Sequence, residues 1–171
     1  MRIEEQFDIG RDAAGIYHAL NNVGDIGYCV AGVKDVVAIN DDESRWKIEQ
    51  RFGFIARTFD LNARITHRDP ARRIDFTGSD REVDMTGHIT LDPLQAAVTR
   101  CSLVIEVDVS GPLAPLVDTF ARGPQQALIR DTISNLRAKL EGEQMATPAP
   151  IRVRRRPGFW DRLLRLLRIR R

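Results

Sequence analysis

Hydrophobic and polar residues alternate along most of the first 109 residues of this 171-residue chain. In the opening segment, Ile3, Phe7 and Ile9 fall two or four positions apart, as the buried face of a strand requires. Six further runs with the same alternation lie between residues 33 and 109, separated by turn-forming residues. Because strands at such short spacing pair with their neighbours in the chain, the pattern predicts a meandering antiparallel sheet of about seven strands.

Helical spacing occurs elsewhere in the chain. Residues 12–22 predict a short helix capped by Asp12, and residues 23–29 predict a second short helix or turn. Further on, hydrophobic residues recur every three or four positions, at Leu113, Leu116, Phe120, Ile129, Ile133, Leu136 and Leu140. This spacing predicts a long amphipathic helix, kinked at Gly123 and Pro124. The fold class is therefore α+β, with a curved antiparallel sheet around a long C-terminal helix.

The strand alternation separates two sets of side chains. The set expected to face the long helix is apolar apart from Gln50: Trp46, Ile48, Phe52, Phe54, Phe59, Leu61, Ala63, Ile65, Ile74, Phe76, Val83, Met85, Ile89, Leu91, Cys101, Leu103, Ile105, Val107 and Val109. The complementary set is largely charged and is interpreted as a solvated face. General acid–base catalysis needs a titratable side chain in a water-poor site, and the inner set offers none. We therefore predict a protein that is not an enzyme and has no catalytic residues.

The cysteines and histidines do not form a recognisable chemical site. Cys29 and Cys101 are too few for a disulfide framework and lack metal-ligand spacing, so both are interpreted as reduced, hydrophobic core residues. His18, His67 and His88 do not share metal-ligand spacing with a carboxylate. We expect neither a metal nor a cofactor.

Charge divides the chain into parts. The residues from Ile151 onward hold nine arginines and one aspartate, a net charge of +8, whereas the first 150 residues hold 17 basic and 23 acidic side chains, a net charge of −6. Residues 142–158 are rich in proline and poor in hydrophobic residues, which is typical of a flexible or extended linker. The predicted organisation is a folded domain over residues 1–141, a linker over 142–158 and a basic terminal helix over 159–171.

The terminal helix is predicted to be amphipathic. On a helical projection, Phe159, Trp160, Leu163, Leu164, Leu166 and Leu167 share one sector, and Asp161, Arg162, Arg165 and Arg168 lie opposite. This is the pattern of a helix that lies in a membrane interface, with apolar side chains in the acyl boundary and arginines at anionic phosphates. Thirteen residues give a helix of about 20 Å, too short to cross a bilayer. The predicted membrane-binding residues are Phe159, Trp160, Arg162, Leu163, Leu164, Arg165, Leu167 and Arg168.

Two other partners for this helix stay open. Nine arginines would also neutralise the phosphates of a nucleic acid, although an arm that follows phosphates does not need an apolar sector. The same apolar sector would dock into a groove on a partner protein. With no membrane-spanning run and no signal-peptide pattern at residue 1, we expect a cytoplasmic protein attached peripherally to the inner face of the cell membrane.

Several local phrases resemble a known family. They are "YCVAGVKDV", "QRFGFIARTFDLNARI" with Gly53 and Phe59 at the family's Gly-then-Phe spacing, "FTGSDREVDMTGHITL", and "VDVSGPLAPL" before the last helix. In this order, over roughly residues 3–141, they resemble the carbon monoxide dehydrogenase CoxG proteins of the START-like (SRPBCC) helix-grip superfamily. Ala31 departs from the pattern, because the family usually has a turn proline there.

The resemblance implies a helix-grip fold and a non-catalytic accessory protein that brings a molybdenum hydroxylase of the CO dehydrogenase type to the membrane and its quinone pool. It also implies a hydrophobic ligand cavity between the sheet and the long helix, for a lipid-like molecule such as a quinone. We predict that the cavity is lined by Phe52, Phe59, Leu61, Phe76, Met85, Leu103, Ile105, Leu116 and Phe120. The alternative is a polyketide cyclase/dehydratase-like enzyme of the same fold, which would require Tyr17, His18 or Gln50 to converge inside the cavity.

Overall fold

The computed structural model of the protein describes residues 1–52, 55–116 and 124–142. Over these residues the elements are β1 (Arg2–Ile9), α1 (Ala13–Leu20), α2 (Val23–Gly27), β2 (Val33–Ala38), β3 (Glu43–Phe52), β4 (Ile55–Asp69), β5 (Arg73–Ser79), β6 (Val83–Gln95), β7 (Val98–Val109), a 3₁₀ helix (Gly111–Leu116) and α3 (Pro124–Gly142). The predicted linker and terminal helix lie outside the described residues, and the proposed division of the chain into three parts stays a prediction.

The strands form one antiparallel sheet in the order β1-β7-β6-β5-β4-β3-β2. From β2 to β7 each strand pairs with the next in the chain, and β1 pairs with β7, which leaves β1 and β2 at the two edges. The two short helices α1 and α2 connect these edge strands. The predicted fold class, a curved antiparallel sheet with a C-terminal helix, is confirmed.

The short helices begin where the sequence provides a capping side chain. The Asp12 carboxylate accepts a hydrogen bond from the Gly15 N–H at 3.2 Å, as predicted for the start of α1. The side chain of Asn22 accepts from the Gly24 N–H at 2.9 Å and caps α2 in the same way. Because only Asn21 separates the end of α1 from Asn22, the chain turns into α2 without a longer loop.

Two helix boundaries differ from the sequence prediction. The second helix ends at Gly27, two residues before the predicted end. The long C-terminal helix was expected from Leu113, but residues 111–116 form a 3₁₀ helix; residues 117–123 lie outside the described residues, and α3 is described over Pro124–Gly142. Pro115 explains the 3₁₀ helix, because a proline disfavours the α conformation of the residue before it, here Ala114. No helix among the described residues is both long enough and apolar enough to cross a membrane.

The C-terminal end of α3 is fixed to the corner between β1 and α1. Leu140 is fully buried, and its carbonyl accepts a hydrogen bond from Arg11 at 3.2 Å. The neighbouring Glu141 carboxylate accepts from the Gly10 N–H at 2.9 Å. The hydroxyl of Thr99, buried in β7, donates to the Arg11 carbonyl at 2.8 Å, so the corner is also bonded to the sheet. This end of the domain is a densely packed core.

Packing on the inner face loosens toward the opposite end of the sheet. In β7, Cys101 is fully buried, whereas Ile105 and Val109, which share its parity, are half-buried. In β6, Leu91 is buried and Val83 is half-buried. Since the same face changes from buried to partly accessible along two paired strands, the space between the sheet and α3 widens toward Val83 and Val109.

Candidate ligand cavity

A cavity of about 320 Å³ lies in this widening space. The inner faces of six strands form one wall, and α2 with the loop after it forms a second. Helix α3 contributes Leu128, Ile129, Thr132, Ile133 and Leu136 to the third wall. The volume lies at the small end of the range typical of small-molecule sites in proteins.

Most of the predicted lining residues are found at this cavity. Six of the nine line it: Phe59, Leu61, Phe76, Met85, Leu103 and Ile105. Phe120 and the side chains of Phe52 and Leu116 lie outside the described part of the chain. Strand alternation brings these six side chains together, because each has the inward parity of its strand. Whether they contact a ligand stays a prediction.

Gly87 leaves room for the ring of Phe76 on the inner face of the sheet. A Cβ atom at this inward position of β6 would come within 2.6 Å of the Phe76 Cζ and 2.7 Å of the Val104 carbonyl oxygen. Both distances are shorter than carbon atoms tolerate, so any larger residue at position 87 would push the Phe76 ring out of place. The glycine therefore determines the shape of this part of the cavity wall.

The described cavity wall is almost entirely apolar. Its polar side chains are Gln50 and Thr132, besides the indole of Trp46, whose N–H donates to the Ser44 hydroxyl at 2.6 Å. Thr77 also borders the cavity, but it has the outward parity of β5, opposite to that of Phe76. No Asp, Glu, His, Lys, Arg or Tyr side chain in the described residues lines the cavity. An ionised group would gain no compensating partner from this wall, so the cavity suits an uncharged, largely hydrophobic molecule.

The residues that would favour a cyclase do not converge. His18 is exposed on α1, and Tyr17 packs half-buried against the core without lining the cavity. Of the three residues considered, Gln50 alone reaches the cavity wall. The wall therefore does not present the group of polar side chains that the cyclase alternative requires.

Glu5 is a titratable residue that the sequence analysis missed. It shares the parity of Ile3 and Phe7 in β1, so its side chain starts from the inner face of the sheet. It is half-buried but does not line the cavity. Its alternation with Ile3 and Phe7 was visible in the sequence, and the omission does not change the apolar character of the wall.

Helix α3 is tied to α2 and to the loop after it by three side chains that donate to or accept from backbone atoms. The Thr132 hydroxyl accepts from the Ala31 N–H at 3.0 Å, the Asn135 amide donates to the Cys29 carbonyl at 3.2 Å, and the Lys139 ammonium donates to the Asp25 carbonyl at 3.2 Å. Positions 132, 135 and 139 lie on one side of a helix. Sequence analysis missed these three polar residues. Their spacing of three and four positions, next to the apolar stripe of the same helix, could have identified them.

The same loop is held to the sheet through Gln50. Its amide nitrogen donates to the Ala31 carbonyl at 3.3 Å, and the Glu49 N–H donates to the Gly32 carbonyl at 2.8 Å. Gly32 has a φ of +85°, and a Cβ there would lie 2.6 Å from the Gln50 nitrogen. Glycine at this position thus permits both the backbone conformation and the close approach of the amide.

Cys29 and Cys101 are both buried and form no disulfide, in agreement with their interpretation as core residues. Cys29 lines the cavity, and Cys101 lies in the core. Burial raises the pKa of the Cys101 thiol to about 12, so the thiol is protonated at neutral pH and is a poor nucleophile. Within the described ranges, His, Cys, Asp and Glu form no group of three or more that could hold a metal ion.

The chain is similar to known proteins in sequence pattern and in fold. Residues 6–141 match the family model for CoxG, a subunit of carbon monoxide dehydrogenase. A search of curated proteins gave no match.

Solved structures share the fold at low sequence identity. A conserved protein from Geobacillus kaustophilus superposes with a TM-score of 0.70 at 16% identity, covering 84% of this chain and 97% of its own. A START superfamily protein from Mycobacterium smegmatis gives 0.60 at 14% identity, with 85% and 99% coverage. The Zhui aromatase/cyclase from Streptomyces sp. R1128 gives 0.55 at 14% identity, with 84% and 92% coverage. At these identities the likeness establishes the fold alone.

Proposed function

The chain belongs to the CoxG family of carbon monoxide dehydrogenase subunits, and we propose on that basis that it is a non-catalytic accessory protein. In this proposal it binds a lipophilic ligand, with a quinone as the leading candidate, in the cavity between the sheet and α3. It also links a molybdenum hydroxylase of the CO dehydrogenase type to the cytoplasmic membrane surface.

The observation that carries the ligand-binding part is the apolar wall. Six strands, a loop and a helix surround a space of about 320 Å³ to which the described residues contribute no charged side chain. A metabolite with many polar groups would lose its hydration there with few replacement hydrogen bonds, whereas a hydrophobic ring or chain gains about 25 cal/mol for each Å² removed from water.

The membrane part rests on the sequence of the terminal segment. Residues 159–171 combine an apolar sector with arginines on the opposite side. Each basic residue near an anionic bilayer contributes on the order of 1 kcal/mol, and burial of the large apolar side chains adds to this. The attachment is expected to be reversible, because a helix this short folds largely on binding.

Flotation with liposomes tests the membrane part. The full-length protein is expected to float with vesicles containing anionic lipid and to remain at the bottom with purely zwitterionic vesicles. Leu164→Asp, inside the apolar sector, is expected to abolish flotation, whereas Ile169→Asp, outside it, introduces the same charge and is expected to have a much smaller effect. Equal flotation of both variants and the unmodified protein would contradict the role of the apolar sector.

Nucleic acid and a protein groove are the other partners for the terminal helix. Retention of the full-length protein on double-stranded DNA at physiological salt, unaffected by Leu164→Asp, would favour nucleic acid. Binding to the hydroxylase that Leu164→Asp removes, together with no flotation by the unmodified protein, would favour a protein groove.

A cyclase-like enzyme remains the alternative function. Its support is the fold shared with an aromatase/cyclase. Against it stands the described cavity wall, which has no carboxylate, imidazole or phenol for general acid–base chemistry. Turnover of a polyketide substrate by the purified protein, lost in Gln50→Met, would favour the enzyme over the accessory protein.

A further inference from the structure

The side chains of Gln50 and Thr132, both on the cavity wall, meet at one residue. Gln50 from β3 donates to the Ala31 carbonyl at 3.3 Å, and Thr132 from α3 accepts from the Ala31 N–H at 3.0 Å. Because both bond to the backbone of a single residue, their polar atoms lie within about 10 Å of each other. They form one polar spot, which we call the Gln50–Thr132 pair.

The pair retains hydrogen-bonding capacity beyond these two bonds. A hydroxyl that accepts one hydrogen bond still has a proton to donate, and no described residue accepts it from Thr132. The Gln50 amide has a second N–H and a carbonyl oxygen, which accepts from no residue in the described ranges. No buried side-chain nitrogen or oxygen among those residues lacks a partner, so this carbonyl oxygen is not sealed inside the protein.

The other threonine that borders the cavity faces away from it. Thr77 pairs with Arg64 and Thr86, which are both exposed, and its parity is opposite to that of Phe76, so its side chain lies on the solvated face of the sheet. A ligand with one polar end therefore meets hydrogen-bonding groups at the Gln50–Thr132 pair and hydrophobic side chains over the adjoining wall.

We propose that the Gln50–Thr132 pair orients the ligand by hydrogen bonds to a carbonyl or hydroxyl oxygen at one end of an otherwise hydrophobic molecule. This inference rests on the proposed ligand-binding function and specifies its ligand class. A pure hydrocarbon enters the same cavity but leaves the pair without a partner. The two residues thus determine specificity, and the apolar wall supplies most of the affinity.

Two probes that differ in their oxygens test the proposal. 2,3-Dimethyl-1,4-naphthoquinone and 2,3-dimethylnaphthalene share a carbon skeleton, and the fully substituted quinone ring does not alkylate Cys29. Equilibrium dialysis against the full-length protein measures the dissociation constant of each. The variants are Gln50→Met, Thr132→Val and Thr132→Ser, with Thr77→Val as the matched control, because it makes the same substitution at a position whose side chain faces away from the cavity.

The unmodified protein is expected to bind the quinone more tightly than the hydrocarbon. Gln50→Met and Thr132→Val are each expected to reduce this preference by about 3- to 10-fold through weaker quinone binding, with hydrocarbon binding unchanged. Thr132→Ser, which keeps the hydroxyl, and Thr77→Val are expected to retain the preference. Because Gln50→Met and Thr132→Val each also remove a hydrogen bond to Ala31, circular dichroism verifies the folding of both, and unchanged hydrocarbon binding shows that the cavity is intact.

The outcomes separate this inference from the function on which it rests. If the unmodified protein binds neither probe, ligand binding in the cavity is wrong and the orientation role falls with it. If it binds both probes and neither Gln50→Met nor Thr132→Val changes the preference, the orientation role is overturned while cavity binding stands. A loss of the preference in Thr77→Val as large as in Thr132→Val would also overturn it, because Thr77 faces away from the cavity and the effect would then not depend on contact with the ligand.

Discussion

The hydroxyl of Thr132 accepts a hydrogen bond from the backbone N–H of Ala31 at 3.0 Å, and this bond joins α3 to the loop that precedes β2. Where the family resemblance leads one to expect proline, this chain has a residue with an N–H, which a proline would lack. Alanine in place of the family's proline thus supplies an N–H, and this N–H has a hydrogen-bond acceptor on α3.

Replacing Thr132 tests the strength of this connection. In Thr132→Val the Ala31 N–H loses its acceptor while the side chain keeps its shape, so the free energy of unfolding is expected to fall by about 1 kcal/mol. Thr132→Ser keeps the oxygen and is expected to lose less. Urea denaturation monitored by circular dichroism measures both, and equal stability of Thr132→Val and the unmodified protein would show that the bond contributes nothing.

Gly87 provides a test of the cavity wall. Gly87→Ala places a methyl group 2.6 Å from the Phe76 ring and 2.7 Å from a backbone carbonyl, so we expect a loss of about 1 to 3 kcal/mol in the free energy of unfolding. Gly142→Ala is the matched control, because a Cβ there has nothing within 4 Å, and it is expected to change stability by less than about 0.5 kcal/mol. Similar losses in both variants would refute the close contact between Gly87 and Phe76.

The Cys101 thiol should be unreactive in the folded protein. Its raised pKa of about 12 means that burial stabilises the protonated form, so its contribution to stability is complete below the unfolded pKa near 9 and is lost as the pH rises toward 12. In a Cys29→Ala background, Ellman's reagent at pH 8 is expected to react with Cys101 only at the rate of unfolding. Rapid stoichiometric reaction under native conditions would contradict the burial.

The ion pair between Asp8 and Arg100 gives a prediction on the charged face. The hydrogen bond from the Arg100 guanidinium holds the pKa of the Asp8 carboxyl below its ordinary value. A lowered pKa means that the pair stabilises the fold above the unfolded pKa of aspartate and loses this effect as the pH falls through the folded pKa. Both side chains are exposed, so the stabilisation is small and weakens with salt.

An NMR titration of the side-chain carboxyl measures this effect. Arg100→Gln is expected to move the Asp8 pKa up toward its ordinary value. Arg2→Gln, which removes the ion pairs to Glu4 and Glu106 on the same strands, is expected to leave it unchanged. An Asp8 pKa that does not respond to Arg100→Gln would show that the pair does not persist in solution.

The sheet was predictable because its two faces differ in every strand. Phe76 in β5 and Met85 in β6 have the parity of their buried neighbours Ile74 and Ile89, and period-two alternation requires no knowledge of distant contacts. The capping of α1 by Asp12 was predictable for a similar reason, since the interaction spans three residues.

The polar contacts around Ala31 were not predictable in the same way. Ala31 and Thr132 lie 101 positions apart, and their contact depends on how α3 crosses the curved sheet. The bond from Gln50 to Ala31 depends on the positive φ of Gly32, which alternation does not indicate. The sequence identified Gln50 as the polar exception on an apolar face, but only the structure shows that its amide donates to the Ala31 carbonyl.

The most direct test of the account is the content of the cavity. Organic extracts of the full-length protein, purified from its native membrane-containing lysate, are analysed by mass spectrometry for isoprenoid quinone. Ile105→Trp, which fills the cavity from β7, is compared with Val104→Trp, which introduces the same ring at the adjacent outward position. We predict close to one quinone per protein for the unmodified chain and Val104→Trp, and strong depletion in Ile105→Trp. Extracts without any lipophilic molecule, or with equal amounts in both variants, would contradict a ligand-binding cavity.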